Sequence, residues 1–159
     1  MKKYNLSFIS DEDLYSHTKD TVEKYRFQVD LARFNRNLID PIKLTFDSKV
    51  YDREIQSVIE SEIVRQMDKS NTNHIGYFHQ NIFNYIGSGW SVPVNGYDIV
   101  NLDEHYYVEM KNKHNTMNSS SSQKTYMRMQ NTLLNNHDAT CMLVEVVARN
   151  SQNIVWNVS

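Results

Sequence analysis

Asp98, Glu109 and Lys111 are the residues whose types and spacing could do chemistry together. In His105-Tyr106-Tyr107-Val108-Glu109-Met110-Lys111-Asn112 the even positions Tyr106, Val108 and Met110 are apolar. The odd positions His105, Tyr107, Glu109 and Lys111 are largely polar, so the stretch has the period of a half-buried strand. Tyr97-Asp98-Ile99-Val100 is its partner, with Leu102-Asp103-Glu104-His105 as the connection. A two-residue turn at Asp103-Glu104, or a symmetric four-residue loop around it, sets Asp98 directly opposite Glu109. Opposed residues on one sheet face have Cβ atoms about 4.5 to 5.5 Å apart, close enough for two carboxylates to share one divalent ion. Lys111, two residues beyond Glu109, points to the same face.

Two like charges opposed across a ladder are destabilising unless a cation compensates them. Lysine alone could supply that charge. Oxygen ligands with open positions suit Mg²⁺, which keeps several waters and binds through one or two carboxylates plus substrate phosphate oxygens. The chemistry this suggests is metal-assisted phosphodiester hydrolysis, with Asp98 and Glu109 as metal ligands and Lys111 orienting the attacking water. The same three residues would equally make an ordinary cross-strand ion pair on a solvated face, and an Asp…Glu-x-Lys pattern recurs by chance. The segment leaving the strand favours the catalytic reading: Lys113, His114, Asn115, Asn118, Ser119 and Ser120 are suited to phosphate and base-edge contacts.

The elements that must position these residues are legible in part. Ser10, three residues before Asp13, resembles a capping box, and Leu14, Val22, Tyr25, Val29 and Leu31 then recur loosely at helical spacing, so residues 10 to about 38 are expected to be mostly helical. Asp40-Pro41 should interrupt the chain, with a short loop or strand from Lys43 to Phe46 after it. From Asp52 to about Met67, Ile55, Val58, Ile59 and Ile63 share one helical face. Glu62 falls inside that arc and Glu60 outside it, so Glu62 should have a cation, a metal or a water-filled cleft nearby, or else reach solvent at the stripe's edge. Ile75, Phe78, Ile82, Phe83 and Ile86 suggest a second helix stopped by Gly87-Ser88-Gly89. His74 and His79 lie five apart, off metal-ligand spacing, and read as structural or solvent-facing. Asn118 and Ser119 to Ser122 are N-cap material for a helix to about Asn135, with Tyr126, Met129, Leu133 and Leu134 facing in. A buried strand from Thr140 to Ala148 and a last strand from Asn153 to Val158 close the chain. The class is α/β (α+β): a mixed sheet flanked by helices.

At 159 residues the chain is long enough for one core and too short for two of ordinary size. A net charge of -2 gives no global attraction for phosphate, so any nucleic-acid contact must be local. The single cysteine, Cys141, excludes an intramolecular disulfide and CxxC zinc spacing, which fits a reducing compartment. No stretch is apolar enough to span a membrane, and Met1-Lys2-Lys3-Tyr4-Asn5 is not followed by a signal core, so a soluble cytoplasmic protein without a membrane partner is expected.

Taken with the preceding helices, Asp98 and Glu109-Met110-Lys111 resemble the PD-(D/E)xK nuclease superfamily, although Tyr97 stands where the literal motif has proline. More specifically, residues 89–99, residues 107–120 and Ile75-Gly76-Tyr77-Phe78-His79-Gln80 resemble the Eco47II family of Type II restriction endonucleases. The resemblance implies an α-β-β-β-α-β core in residues 49–159, truncated at the C-terminus, with residues 1–48 as a helical segment packed on it. It implies a Mg²⁺-dependent endonuclease that acts as a homodimer on double-stranded DNA at a short palindrome of GGNCC type. A 5′-phosphate and a 3′-hydroxyl would be left, and a cognate DNA methyltransferase would protect the host. By position it makes Asp98, Glu109 and Lys111 catalytic, with Glu62 as a further carboxylate. Gln123 and Tyr126 resemble a Gln-Tyr pair of some relatives. The alternatives are a superfamily nuclease acting on branched or damaged DNA and a catalytically silent DNA-binding subunit.

Overall fold

A computed structural model describes residues 3–156 of the chain, the side chain of Arg33 excepted. The chain divides into two units: residues 20–75, and the residues up to Lys19 together with those from Gly76 onward. The boundary expected between residues 48 and 49 falls inside the first of these. Among the described residues no helix is long and apolar enough to cross a membrane.

Four helices come first: α1 (Asp11–Lys24), α2 (Leu31–Arg36), α3 (Pro41–Val50) and α4 (Ile55–Asn81). Ser10 caps α1 as expected, its Oγ accepting from the Asp13 amide at 3.0 Å and donating to the Asp13 carboxylate at 2.7 Å. The residue of α1 that goes inside is His17, stacked on Phe78 with ring centroids 4.5 Å apart, whereas Val22 and Leu31 are exposed. Lys43 to Phe46 is helix, not the loop or strand expected. Asp40-Pro41 starts a helix here because Asp40 accepts from the Ile42 and Lys43 amides and Pro41 sits at the first helical position, where no amide hydrogen is needed.

The two helices expected from residue 52 to residue 86 are one, α4, followed by a 3-10 turn at Ile82–Tyr85 that ends at Gly87. The phase of the stripe holds at Val58, Ile59, Glu62 and Ile63, with Glu60 outside it, while Ile55 in the first turn is exposed.

The sheet lies in the second unit. Strands β1 (Trp90–Ser91), β2 (Ile99–Asn101), β3 (Tyr106–Lys113) and β4 (Thr140–Val147) run in the order β1-β2-β3-β4, with helix α5 (Ser119–Asn135) between β3 and β4. The pairs β1–β2 and β2–β3 are antiparallel and β3–β4 is parallel, so the sheet is mixed and the expected α-β-β-β-α-β order is present. α5 serves as the crossover that a parallel pair requires.

Strand β3 is covered on both faces, more than the half-buried strand that alternation suggests. Val108 and Met110 pack with Ile99 against Phe83, Trp90, Val92 and Val144. On the other face Tyr107 joins Tyr97, Val100, Met129, Cys141, Leu143 and Trp156. β4, expected to be buried, is an edge strand among the described residues, with Met142, Val146 and Val147 exposed. Residues 153–156 form no strand, and residues 157 and 158 of the expected last strand lie outside the described residues. Trp156 instead sets its ring edge-on to Tyr126, centroids 5.7 Å apart. On α5 the inward stripe is Thr125, Tyr126, Arg128, Met129 and Thr132, which rotates Leu133 and Leu134 to the exposed side.

One glycine governs entry into the sheet. Gly89 has φ of +88°, and a β-carbon there would lie 2.8 Å from Asn101 Oδ1, the atom that accepts from the Glu104 amide and fixes the β2–β3 loop. Gly89→Ala is expected to cost about 2 kcal/mol or more, read as a lowered midpoint in urea unfolding.

Candidate active site

The β2–β3 register pairs Ile99 with Val108 and Asn101 with Tyr106, leaving Leu102 to His105 as a four-residue loop. Its last residue, His105, has φ of +56°. Carried one pair outward, this register sets Asp98 against Glu109, as the sequence spacing requires. The link is visible in a hydrogen bond: the Met110 amide donates to Asp98 Oδ2 at 2.8 Å.

Glu109 is buried, and both its oxygens are engaged. Lys111 Nζ donates to Oε1 at 2.7 Å, and an Arg128 terminal nitrogen donates to Oε2 at 2.6 Å. A carboxylate in such surroundings is tolerable because two cations neutralise it and each oxygen has a donor. Arg128 was not among the residues singled out from sequence. Its other terminal nitrogen donates to the Gly96 carbonyl, and its guanidinium carbon stands 5.1 Å from the centre of the Tyr97 ring. Tyr97 is fixed in turn: its hydroxyl lies 2.8 Å from Thr132 Oγ1, and burial pushes its ionisation up to about 12. The sequence signal for Arg128 is its place beside Met129 on the inward stripe, where a cation needs a buried anion opposite.

Asp98 titrates above the ordinary aspartate range. Burial is the largest cause; the Met110 amide opposes it, the Glu109 charge adds to it, and Lys111 and Arg128 pull back. Asp98 also lines a cleft of about 200 Å³ formed with Tyr77, Gln80 and residues 92–97.

The other residues named from sequence are spread over both units. Glu62 belongs to the unit of residues 20–75, and the cation it required is Arg65, which donates to its two oxygens at 2.6 and 2.5 Å, with Gln66 donating at 3.1 Å. Lys113, His114, Asn115, Asn118, Ser119 and Ser120 are all exposed on the segment from the end of β3 to the start of α5. Two of them already have structural work: Asn118 Oδ1 caps α5 by accepting from the Ser121 amide, and His114 Nδ1 lies 2.6 Å from Glu145. Asn115, with φ of +58°, makes the turn. His79, expected to be structural or solvent-facing, lies 3.1 Å from Asn112 Oδ1, and Gly76 keeps room for that amide.

Asp98 and Glu109 form a donor set of two hard oxygen ligands on one face, which suits a small divalent cation that completes its shell with water and phosphate. Among the described residues no group of three or more His, Cys, Asp or Glu side chains is placed to hold a metal ion. Because its folded pKa is raised, Asp98 costs stability when charged; that cost is full above the folded pKa and fades as pH falls from there toward the ordinary aspartate value. Asp98→Asn is therefore expected to raise the melting temperature of the metal-free chain at neutral pH, the gain shrinking at lower pH. Melts recorded across pH check this, and a carboxyl NMR titration should find the Asp98 titration midpoint displaced upward and brought down by Mg²⁺.

Residues 6–159 match the Eco47II restriction endonuclease family. The chain is 32% identical over 155 residues to the Type II restriction enzyme Sau96I of Staphylococcus aureus, a match covering 95% of this chain and 59% of that protein. To the Type II restriction enzyme Eco47II of Escherichia coli it is 33% identical over 116 residues, 70% of this chain and 48% of that one. The chain thus spans about half the length of the curated relatives it matches. No solved structure matches it. On the strength of a match that runs nearly from end to end, this chain belongs to the Eco47II restriction endonuclease family.

Proposed function

We propose that this chain holds the catalytic core of a Type II restriction endonuclease that hydrolyses phosphodiester bonds of double-stranded DNA with Mg²⁺. The observation that supports this most is the placement of Asp98, Glu109 and Lys111 on one sheet face, in a chain of a restriction endonuclease family. The site is a short palindrome of GGNCC type, and the products carry a 5′-phosphate and a 3′-hydroxyl. The enzyme works as a homodimer in the cytoplasm, beside a methyltransferase that protects the host's own copies of the site.

Asp98 and Glu109 hold the cation. When bound, Mg²⁺ supplies Lewis-acid polarisation of a phosphoryl oxygen and a more acidic water. Lys111 positions the attacking water from its place beside Glu109 and offsets negative charge that builds on the phosphorus centre. Lys113, His114, Ser119 and Ser120 reach the DNA backbone and base edges from the turn between β3 and α5. Glu62 is a further carboxylate of the enzyme, ion-paired with Arg65.

Incubation with unmethylated plasmid tests the reading. Discrete fragments are expected in Mg²⁺ and none in EDTA, with end sequencing giving one recognition site. Glu109→Ala and Lys111→Ala should each reduce cleavage by roughly a hundredfold to a thousandfold. Glu62→Gln should cost less than either. Salt-sensitive DNA binding with no Mg²⁺-dependent cleavage would replace the nuclease by a binding subunit, and cleavage confined to branched substrates would replace site specificity by structure specificity.

A further inference from the structure

Arg128 touches three things at once. From α5 it donates to Glu109 Oε2 and to the Gly96 carbonyl, and it covers the Tyr97 ring. One guanidinium therefore joins the helix, the residues leading into Asp98, and the buried carboxylate. Together with Lys111 it gives the site two cations for its two carboxylates, so the charges balance without any metal. A divalent cation arriving alone would have to displace a charge-assisted hydrogen bond and leave the site with excess positive charge. A cation arriving with a phosphate exchanges that bond and keeps the balance of charge, because the phosphate oxygens can accept from the guanidinium in place of the single Glu109 oxygen it leaves. Arg128 is placed for such an exchange: its side chain is 35% exposed while that of Glu109 is 9% exposed.

We propose that Arg128 is the resident counter-ion of Glu109, opposing divalent cations in the DNA-free chain and passing to a DNA phosphate when cation and DNA bind together. The second half rests on the nuclease reading above, since that reading identifies the anion; the first half does not depend on it. Arg128 is thus a positioning residue that makes metal occupancy conditional on substrate.

Calorimetric titration with Ca²⁺, with and without duplex DNA, tests this on the whole chain and on three variants. The unsubstituted chain should bind Ca²⁺ weakly, and duplex should tighten that binding by about tenfold or more. Arg128→Met and Arg128→Gln should each bind Ca²⁺ alone about tenfold tighter than the unsubstituted chain, with little further gain from DNA. Arg128→Lys, which keeps the charge, should stay close to the unsubstituted chain. Arg128→Gln keeps a neutral polar donor at this position, so it decides the matter if Arg128→Met fails to give a cooperative melt. Unchanged Ca²⁺ affinity in the neutral variants overturns the counter-ion role, and a duplex without effect on the unsubstituted chain overturns the exchange onto phosphate. If the Ca²⁺ affinities shift as stated and the unsubstituted chain still does not cut plasmid in Mg²⁺, the counter-ion role is supported and the nuclease reading fails.

Discussion

Two carboxylates placed on one face of a hairpin, in surroundings that make at least one of them hard to ionise, set the problem that the rest of the second unit answers. Asp98 is held above its ordinary range mainly by burial, and the neighbouring Glu109 charge adds to the strain. A sheet would not place like charges across a ladder without compensation, because directly opposed like charges destabilise it. The compensation comes from different directions: Lys111 along the same strand, the Met110 amide from the backbone, and Arg128 from α5. Take these away and the opposed carboxylates work against the register.

The architecture supplies rigid ground for that arrangement. The apolar face of β3 is locked by Ile99, Val108 and Met110, while its other face is partly apolar and partly the site. A one-residue slip would exchange the faces, burying Lys111 among Phe83, Trp90 and Val144 and turning Met110 toward Asp98, so the hydrophobic pattern and the electrostatic one enforce the same register. The four-residue loop is fixed independently through Asn101 and Gly89. α5 covers the site face with Met129 and delivers Arg128 one residue before it, so the residue that seals the core and the residue that neutralises Glu109 are placed by one helix turn.

Much of the site was legible in the sequence because its information is local. Period-two alternation, a connection of symmetric length and the Glu-x-Lys spacing suffice to set Asp98 against Glu109, and the amide-rich segment before α5 announces its own cap at Asn118. Most features that escaped depend on tertiary context. Asp40-Pro41 is a local exception: it reads as an interruption, yet an aspartate cap followed by proline also opens a helix, and the Asp40 bonds to the Ile42 and Lys43 amides do so here. Thr140 to Ala148 looks like a core strand by composition, but its place at the sheet edge decides its exposure. Arg128 looks like a solvated flank of an amphipathic helix until the sheet brings a buried carboxylate opposite it.

A divalent cation seated by Asp98 and Glu109 is the centre of the proposed chemistry, and the most direct test is to see that cation. Crystals of the chain with cognate duplex and Mn²⁺, measured at the manganese absorption edge, should show an anomalous peak in contact with both carboxylates, and the peak should be lost in Glu109→Ala. A peak held by other residues, or none in a complex whose DNA lies across this face, would contradict it.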